Sequence, residues 1–309
     1  MNALPFSVIK IRRVTACKTG CNCVLFAYSD SKIKMMKALP LIVFFLIYSA
    51  GCFGQDYKVI DTVRLTCEYE YYFQQDSASK NTPAYQNMIL QVGKNYSKFC
   101  TKTTLLKDSI IYAKQVGGSS QSIMDKLVKI AQGSPNNLLC KYEIYKNYPQ
   151  KVFLTLNSLL NRDYKFQVVQ TAIIDWSVDE RDTVICGYNC NMATTSYAGR
   201  RYVAWFTSEI PVSEGPYKFN GLPGLILYIM DDQKQHVFKI ISIQQPKLVR
   251  QILYYDDNYL KVSPEQYVLG IQKSKLYTRE FVMGLSTTPE RRARALYNLD
   301  IKNNFIERY

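Results

Sequence analysis

Few residues in this 309-residue sequence have the types and spacing that catalysis needs. A serine or cysteine nucleophile would have to use His236, the single histidine, as its base, and no nucleophile-elbow motif precedes it. Hydrolysis by carboxylates alone requires two acids that converge in a cleft. The acid pairs Asp231–Asp232 and Asp256–Asp257 lie in turn-like stretches instead, and DERD at 179–182 mixes charges of both signs, as a solvated loop does. We therefore expect no catalytic site, metal or cofactor, and keep a hydrolase with an unrecognised site as an alternative.

Glycine and proline are concentrated in EGPYKFNGLPGLILYIMDD, residues 214–232. In Leu222–Leu225, Pro223 takes the second position and Gly224 the third, which predicts a type II turn with positive φ at Gly224. Asn220 and Gly221 add two residues that tolerate positive φ. A phosphate-binding loop would lead into a helix, whereas β-favouring residues follow here. The pattern favours a structural turn over a ligand-binding loop.

The N-terminal region has the pattern of an export signal. Residues 38–50, ALPLIVFFLIYSA, are uninterruptedly apolar, and three lysines precede them. This is the length and charge of a signal-peptide core, so we predict a signal peptide over 35–54 with cleavage after Gly54. Lipidation at Cys52 and a single membrane anchor are the alternatives. A signal core should lie near the start of a protein, so we interpret residues 1–34 as a mis-assigned extension, with translation starting at Met1, Met35 or Met36.

Export would determine the net charge of the mature chain and the oxidation state of its cysteines. Residues 1–54 carry seven Lys/Arg and one acid, so their removal lowers the net charge from +14 to +8. The remaining basic charge favours anionic surfaces such as acidic lipid headgroups. An exported chain can form disulfides. The nearest cysteines, Cys186 and Cys190 in CGYNC, can pair only if residues 187–189 form a turn; otherwise both are buried thiols.

Period-two alternation of apolar and polar residues dominates after Gln55. In TCEYEYYF, one face collects Cys67, Tyr69, Tyr71 and Phe73, as in a strand of an antiparallel sheet. The same reasoning predicts strands at MILQVG, YSKFCT, KYEIYK, KVFLTLNS, KFQVVQ, NMATTSY, RRYVAWFT and HVFKIISI. LILYIM, residues 225–230, is apolar at both alternating sets of positions and should be covered on both faces.

Helices are predicted at three places. They are SSQSIMDKLVKIAQG at 119–133, residues 263–284 with a capping box at Ser263 and Gln266, and a basic helix after Thr288. The fold class is therefore mainly β (α+β), with one curved antiparallel sheet or half-barrel and a few flanking helices. We assign 55–285 to this domain and 286–309 to a basic C-terminal tail.

The stretch YAGRRYVAWFTSEIPVSEGPYKFNGLPGLILYI resembles the signature of the GLPGLI family, a group of exported bacterial proteins named after this motif. The resemblance extends over roughly Tyr57–Gly284. It implies export and a loose association with outer-membrane uptake systems, and it assigns no reaction. The family has a cysteine at the position of Cys190 but an apolar residue at that of Cys186, so the resemblance does not imply the disulfide.

These observations lead to a functional expectation. We expect an exported, periplasmic or outer-membrane-associated binding or accessory protein without catalytic activity, which holds an acyl chain or hydrophobic peptide on its curved sheet. The alternative is a protein–protein partner of an outer-membrane transport system. Arg200, Arg201, Tyr217 and Lys218 are the candidate residues for contacting a partner. Aromatic and basic residues interleave there, but an exported protein is not expected to bind nucleic acid.

Overall fold

A single large sheet organises the part of the chain that the computed structural model describes. The described residues are 57–79, 82–117, 125, 142–147, 152–158, 165–171, 173–257, 259–284, 287–300 and 304–307. The strands are β1 Tyr57–Thr62, β2 Leu65–Gln74, β3 Pro83–Val92, β4 Tyr96–Thr101, β5 Glu143–Asn147, β6 Val152–Ser158, β7 Lys165–Thr171, β8 Ser177–Ile185, β9 Tyr188–Tyr197, β10 Arg200–Thr207, β11 Leu225–Asp231, β12 His236–Gln244, β13 Gln251–Tyr255 and β14 Leu260–Val262. The helices are α1 Lys102–Gln115, α2 Pro264–Gly284 and α3 Pro289–Asp300.

Twelve strands form the sheet in the order β14-β7-β6-β5-β4-β3-β2-β12-β11-β10-β9-β8, which is open at both edges. All neighbours are antiparallel except β14 and β7. The remaining strands, β1 and β13, form a separate antiparallel pair. The prediction of a mainly β fold with one large antiparallel sheet and few helices is confirmed. Consecutive strands form the hairpins β9–β10 and β11–β12.

The helices follow their sequence signals where those can be checked. Ser263 and Gln266 form the predicted capping box: Gln266 N–H donates to Ser263 Oγ, and Ser263 N–H donates to the Gln266 side chain. The basic helix predicted after Thr288 is α3. Helix α1 was not predicted; Thr101 caps its first turn by accepting from Thr104 N–H at 3.0 Å. The helix predicted at 119–133 lies outside the described residues, apart from residue 125. Among the described residues, no helix is long and apolar enough to cross a membrane.

The sheet curls around the segment 208–224, which we call the inner segment. Two contacts of Glu214 show that the sheet is curved. Its carbonyl accepts from Ile226 N–H of β11 at 2.9 Å, and its carboxylate accepts from Ser97 Oγ of β4 at 3.1 Å. These strands are four positions apart, which in a flat sheet would separate them by about 19 Å. One glutamate cannot span that distance, so the sheet is curved and the inner segment lies against its concave face.

The predicted strand LILYIM is β11, and Leu225, Ile226, Leu227 and Ile229 are fully buried. The prediction of a type II turn with positive φ at Gly224 is wrong. Positive φ occurs at Gly221 instead, and the Gly224 N–H donates to the Leu222 carbonyl at 2.8 Å, closing a three-residue turn around Pro223. Gly224 is needed because a Cβ there would lie 2.0 Å from the Thr207 carbonyl oxygen.

The disulfide between Cys186 and Cys190 is not formed, and both thiols are free. The turn that the hypothesis required is one residue too early: Ile185 pairs with Tyr188, so Cys186 and Gly187 occupy the tip of the β8–β9 hairpin. Cys190 is already in β9, opposite Thr183, and is buried. The thiols therefore leave the backbone from different parts of the hairpin.

We predict that Gly224→Ala lowers the free energy of unfolding by about 2–3 kcal/mol, because the new methyl group must displace the backbone at Thr207. The measurement is chemical denaturation followed by circular dichroism. Gly284→Ala is the matched control, since a Cβ there meets nothing within 4 Å. Equal stability of the two variants would show that the β10–β11 approach does not require glycine.

Candidate binding site

The β9–β10 hairpin positions the first residue of the candidate site. Ala198 and Gly199 have positive φ and make the two-residue turn that starts β10 at Arg200. The Arg200 side chain is buried and donates to the Asp231 carboxylate at 2.7 Å and to the Gln235 side chain at 3.2 Å. Asp231 is fixed in turn, because its other oxygen accepts from the backbone N–H of Gln235 and His236.

The other edge of the same guanidinium binds the C-terminal end of the chain. Arg200 donates to the Phe305 carbonyl at 2.7 Å through Nη2 and at 3.2 Å through Nε, and to the Asn304 side chain. Tyr202, two residues further along the same face of β10, donates its hydroxyl to the Ile306 carbonyl at 3.0 Å. The planar guanidinium thus connects the sheet on one edge to a C-terminal segment without regular secondary structure on the other.

Asn304–Glu307, which we call the tail segment, is held at both of its ends. At the first, Asn304 donates its backbone N–H to the Gln75 carbonyl at 3.1 Å and its side-chain amide to the Gln74 carbonyl at 2.8 Å. At the second, the Glu307 carboxylate lies 2.6 Å from Lys218 Nζ and accepts from the Tyr197 hydroxyl at 3.1 Å. Between them, Ile306 packs against the hydrophobic core.

The inner segment supplies the charged part of this site. Lys218 is nearly fully buried and also donates to the Gln170 side chain at 2.9 Å. Burial, followed by the nearby Glu307 carboxylate, raises the pKa of the Tyr217 phenol, so this group stays protonated. Phe219 then packs against the ring of Tyr202, with centroids 4.7 Å apart. The inner segment and β10 therefore share one surface.

Of the four residues proposed for partner contact, three come together around the tail segment: Arg200, Tyr217 and Lys218. They are buried rather than forming an exposed rim, because residues of the same chain occupy the position that a partner was expected to take. Arg201 is exposed, since successive strand residues point to opposite faces. We name the surface formed by Arg200, Tyr202, Tyr197, Tyr217 and Lys218 the tail groove.

The residues considered for catalysis from the sequence take part in structural contacts. His236 is buried in β12, where its Nδ1 shares a 2.7 Å hydrogen bond with the Tyr71 hydroxyl and its ring stacks on that of Tyr71. Asp231 is part of the Arg200 contact, and Asp179 pairs with the neighbouring Arg181 on the exposed strand β8. Among the described residues, no group of three or more His, Cys, Asp and Glu is arranged to hold a metal ion.

Sequence reasoning missed a buried charge cluster on the outer face of the sheet. Lys98 of β4 lies 2.6 Å from the Asp108 carboxylate of α1 and 2.8 Å from that of Glu143. Tyr57 donates to Asp108 at 2.7 Å, and Tyr145 donates to Glu143 at 2.9 Å. These residues come from four elements, so no local spacing could have revealed them.

The carboxylates of this cluster respond differently to their surroundings. At Asp108, burial dominates and raises the pKa of the carboxyl in spite of Lys98. At Glu143, burial also favours the neutral form, but Lys98 outweighs it and lowers the pKa. Lys98 itself donates to the Leu253 carbonyl at 3.1 Å. The cluster thus fastens α1 and the β1–β13 pair to the outer face.

A second buried ion pair, between Lys146 and Glu214, fastens the inner segment to the concave face. Lys146 also donates to the Gly215 carbonyl at 2.9 Å and to the Phe219 carbonyl at 3.3 Å. Burial, opposed by the partner charge, raises the pKa of Glu214 and lowers that of Lys146. The pair thus fixes the segment that carries Tyr217 and Lys218.

Comparison with known proteins gives a limited match. The model of a family described as "Protein of unknown function (Porph_ging)" matches residues 196–228, which include β10, the inner segment and the start of β11. No curated protein matches the chain. Two similar solved structures, "Structure of PNGF-II in P21 space group" and "Structure of PNGF-II in C2 space group", share 15% identity with TM-scores of 0.44 and 0.43. Each similarity covers 69% of this chain. This chain therefore spans only about a third of the length of those two proteins (34% and 33%).

We predict that Lys98→Met lowers the free energy of unfolding by about 3–5 kcal/mol, because it leaves buried carboxylates without their cation. The Lys98-lowered pKa of Glu143 stabilises the folded state above pH 4.5, the ordinary value, and this contribution is lost as pH falls through the folded pKa. The deficit of the variant should therefore shrink below pH 4.5. Denaturation across this pH range is the measurement.

The matched control is Lys102→Met, which removes an exposed lysine paired with Glu68 at 2.8 Å. Its cost should stay near about 0.5 kcal/mol, because solvent screens such pairs. A Lys98 variant no less stable than the Lys102 variant would contradict the structural role of the cluster.

Proposed function

We propose that this chain is an exported, non-catalytic interaction protein that binds an extended segment of a partner in the tail groove. One observation carries the proposal: the groove already holds a segment without regular secondary structure, Asn304–Glu307, through carbonyl groups and one acidic side chain. Peptide recognition elsewhere uses the same combination of main-chain hydrogen bonds and a few side-chain anchors. The tail segment is then an internal ligand that a partner segment displaces.

The contacts define the chemistry of that partner segment. Arg200 and Tyr202 bind the carbonyls of two consecutive residues, which any extended peptide offers. Specificity comes from a side-chain amide at the position of Asn304 and an acid at that of Glu307, where Lys218 and Tyr197 converge. An aliphatic residue before the acid fills the place of Ile306.

The carrier hypothesis is less well supported by the geometry. It requires space for an acyl chain or hydrophobic peptide on the concave face. The inner segment occupies that face, with Tyr217, Phe219 and Leu222 buried there and Lys146 bonded to its carbonyls. We therefore favour the protein–protein alternative. For catalysis, the residues with suitable chemistry, His236 and Lys98, are buried in hydrogen-bonded structural contacts.

Family and compartment are parts of the same proposal. The matched region 196–228 contains Gly221–Ile226, the GLPGLI motif itself, and we propose membership of the GLPGLI family on that basis. Export follows from the apolar run at 38–50 behind its lysines. The resemblance to that family indicates an outer-membrane transport protein as the partner.

The tail groove is tested with the chain from Gln55 to Asp300, which lacks the tail segment, and a fluorescent peptide of residues 301–309. We expect the shortened chain to bind the peptide and the chain that ends at Tyr309 to bind it much more weakly. The Glu307→Gln form of the peptide should bind about tenfold more weakly, since it loses a charge-assisted contact with Lys218. Fluorescence anisotropy measures both affinities.

Arg201→Gln is the matched control, because Arg201 lies beside Arg200 but faces solvent, and it should leave the affinity unchanged. If the shortened chain fails to fold, Glu307→Lys in the longer chain weakens tail docking by opposing Lys218, and this variant should then bind added peptide. A folded variant that lacks a docked tail segment and still does not bind the peptide would contradict the proposal.

Export has its own test. We predict that the protein expressed with its natural N-terminal region in a bacterium is recovered from the periplasm or outer membrane with Gln55 as its first residue. N-terminal sequencing of the mature protein is the measurement. A lipid-modified Cys52 as the first residue would show that the protein is exported and anchored by lipid. An uncleaved protein in the cytoplasm would refute export.

A further inference from the structure

Three turns meet at the end of the sheet where β2 begins and β12 finishes. The Val63 N–H donates to the Arg250 carbonyl at 2.9 Å, which joins the β1–β2 turn to the β12–β13 loop. The Arg64 N–H donates to the Val92 carbonyl at 2.7 Å, next to the β3–β4 turn. The loop over 245–250 is therefore bonded to the β1–β2 turn, which is itself bonded to the end of β3.

The tip of that loop exposes two adjacent aliphatic side chains. Leu248 and Val249 are 79% and 83% exposed, among the highest values for large apolar residues in the described chain. Single exposed apolar residues are ordinary on protein surfaces. Two consecutive ones at a protruding loop, flanked directly by Lys247 and Arg250, are a more specific arrangement.

Positive charge surrounds the aliphatic pair. Arg64, Lys94, Lys247 and Arg250 are all exposed at this end, and no carboxylate among the described residues pairs with their side chains. Asp61 also lies here, but its carboxylate accepts from the backbone N–H of Thr62, Asn95 and Tyr96. We call these four cations, together with Leu248 and Val249, the cationic end.

A pocket of about 400 Å³ opens beside the aliphatic pair. It is lined by Thr66, Gln244, Gln245, Pro246, Lys247, Leu248 and Arg250. Two basic and three polar residues thus line one cavity, a composition that suits an anionic group with a polar neighbour.

We propose that the cationic end is a membrane-docking site that binds the surface of a bilayer containing anionic lipids. Leu248 and Val249 enter the interfacial region, while the four cations contact phosphate groups, which is the division of labour in peripheral membrane proteins. The net positive charge of the chain adds long-range attraction to such a surface. Neither the apolar pair nor the charge alone carries the proposal.

This site shares no residue with the tail groove and lies at the other end of the same strand. Thr66, near the start of β2, lines the pocket, whereas Gln74, its last residue, accepts from Asn304 of the tail segment. Eight residues of extended strand separate them by about 26 Å. Docking on lipid at one end therefore leaves the tail groove at the opposite end of β2, away from the docked residues.

The test uses the chain from Gln55, a compact unit that contains every described element and lacks the apolar run at 38–50. Vesicles of phosphatidylcholine, with or without an equal amount of phosphatidylglycerol, are sedimented with the protein. We expect binding to the mixed vesicles only, weakened by added salt. Lys247→Gln with Arg250→Gln should weaken binding roughly 25-fold, at about fivefold per cation. Leu248→Ser with Val249→Ser should weaken it about tenfold or more.

Two control pairs separate a defined site from general charge and apolarity. Lys239→Gln with Lys261→Gln removes two exposed cations elsewhere, and Val178→Ser with Val184→Ser removes two exposed valines of β8; neither should change binding by more than about twofold. Equal losses in the control pairs, or equal binding to both vesicle types, would overturn the proposal. Binding of free glycerol phosphate without vesicle binding would also overturn it, by showing a site for a small anion.

Discussion

The buried carboxylate of Glu214 is the constraint on which the concave side of this fold depends. Its backbone is bonded to β11, and its side chain to β4 and to Lys146 of β5, so it fixes both the curvature of the sheet and the position of the inner segment. A buried ion pair adds little net stability, but removing one partner is costly. The pair therefore acts through specificity: it selects the one placement of the inner segment in which both charges are satisfied, and that placement brings Lys218 to the tail groove.

The alternation of apolar and polar residues was sufficient to predict most strands of the sheet, because the pattern in each strand reflects which of its faces are buried. Residues of β2 alternate between buried and less buried positions from Leu65 to Tyr72, and β11 is apolar at both sets of positions because both its faces are covered. Strand β8 was missed since it lies at an edge and is mostly exposed, which leaves no alternation to detect. Gly224 was recognised as structural for the wrong reason: the sequence suggested a dihedral requirement, whereas the contact that requires glycine comes from Thr207 on another strand.

The candidate sites were harder to predict because their residues meet only in the folded chain. Arg200 contacts the tail segment across about a hundred residues, and Lys98 gathers partners from α1, β5 and β13. The interleaving of aromatic and basic residues did suggest Arg200, Tyr217 and Lys218, but as an exposed rim for a partner and not as a buried contact within the chain. The sequence did not indicate that the tail segment of the same chain occupies the tail groove. The partner side of the contact is an Asn-aromatic-aliphatic-acid tetrapeptide with no distinctive pattern of its own.

Tethering decides how the tail groove can be used. Only residues 301–303 separate α3 from the tail segment, so the segment is present at an effective concentration on the order of millimolar even when it detaches. A free peptide with the same contacts therefore competes poorly, and a partner must either bind more tightly or bring a second attachment. The proposed lipid docking at the cationic end would provide such an attachment, since it would confine the protein to the same membrane surface as the proposed partner. If both proposals hold, the two sites would act together: membrane binding would raise the local concentration of the partner segment toward that of the tail, and displacement would become selective for partners in the same membrane.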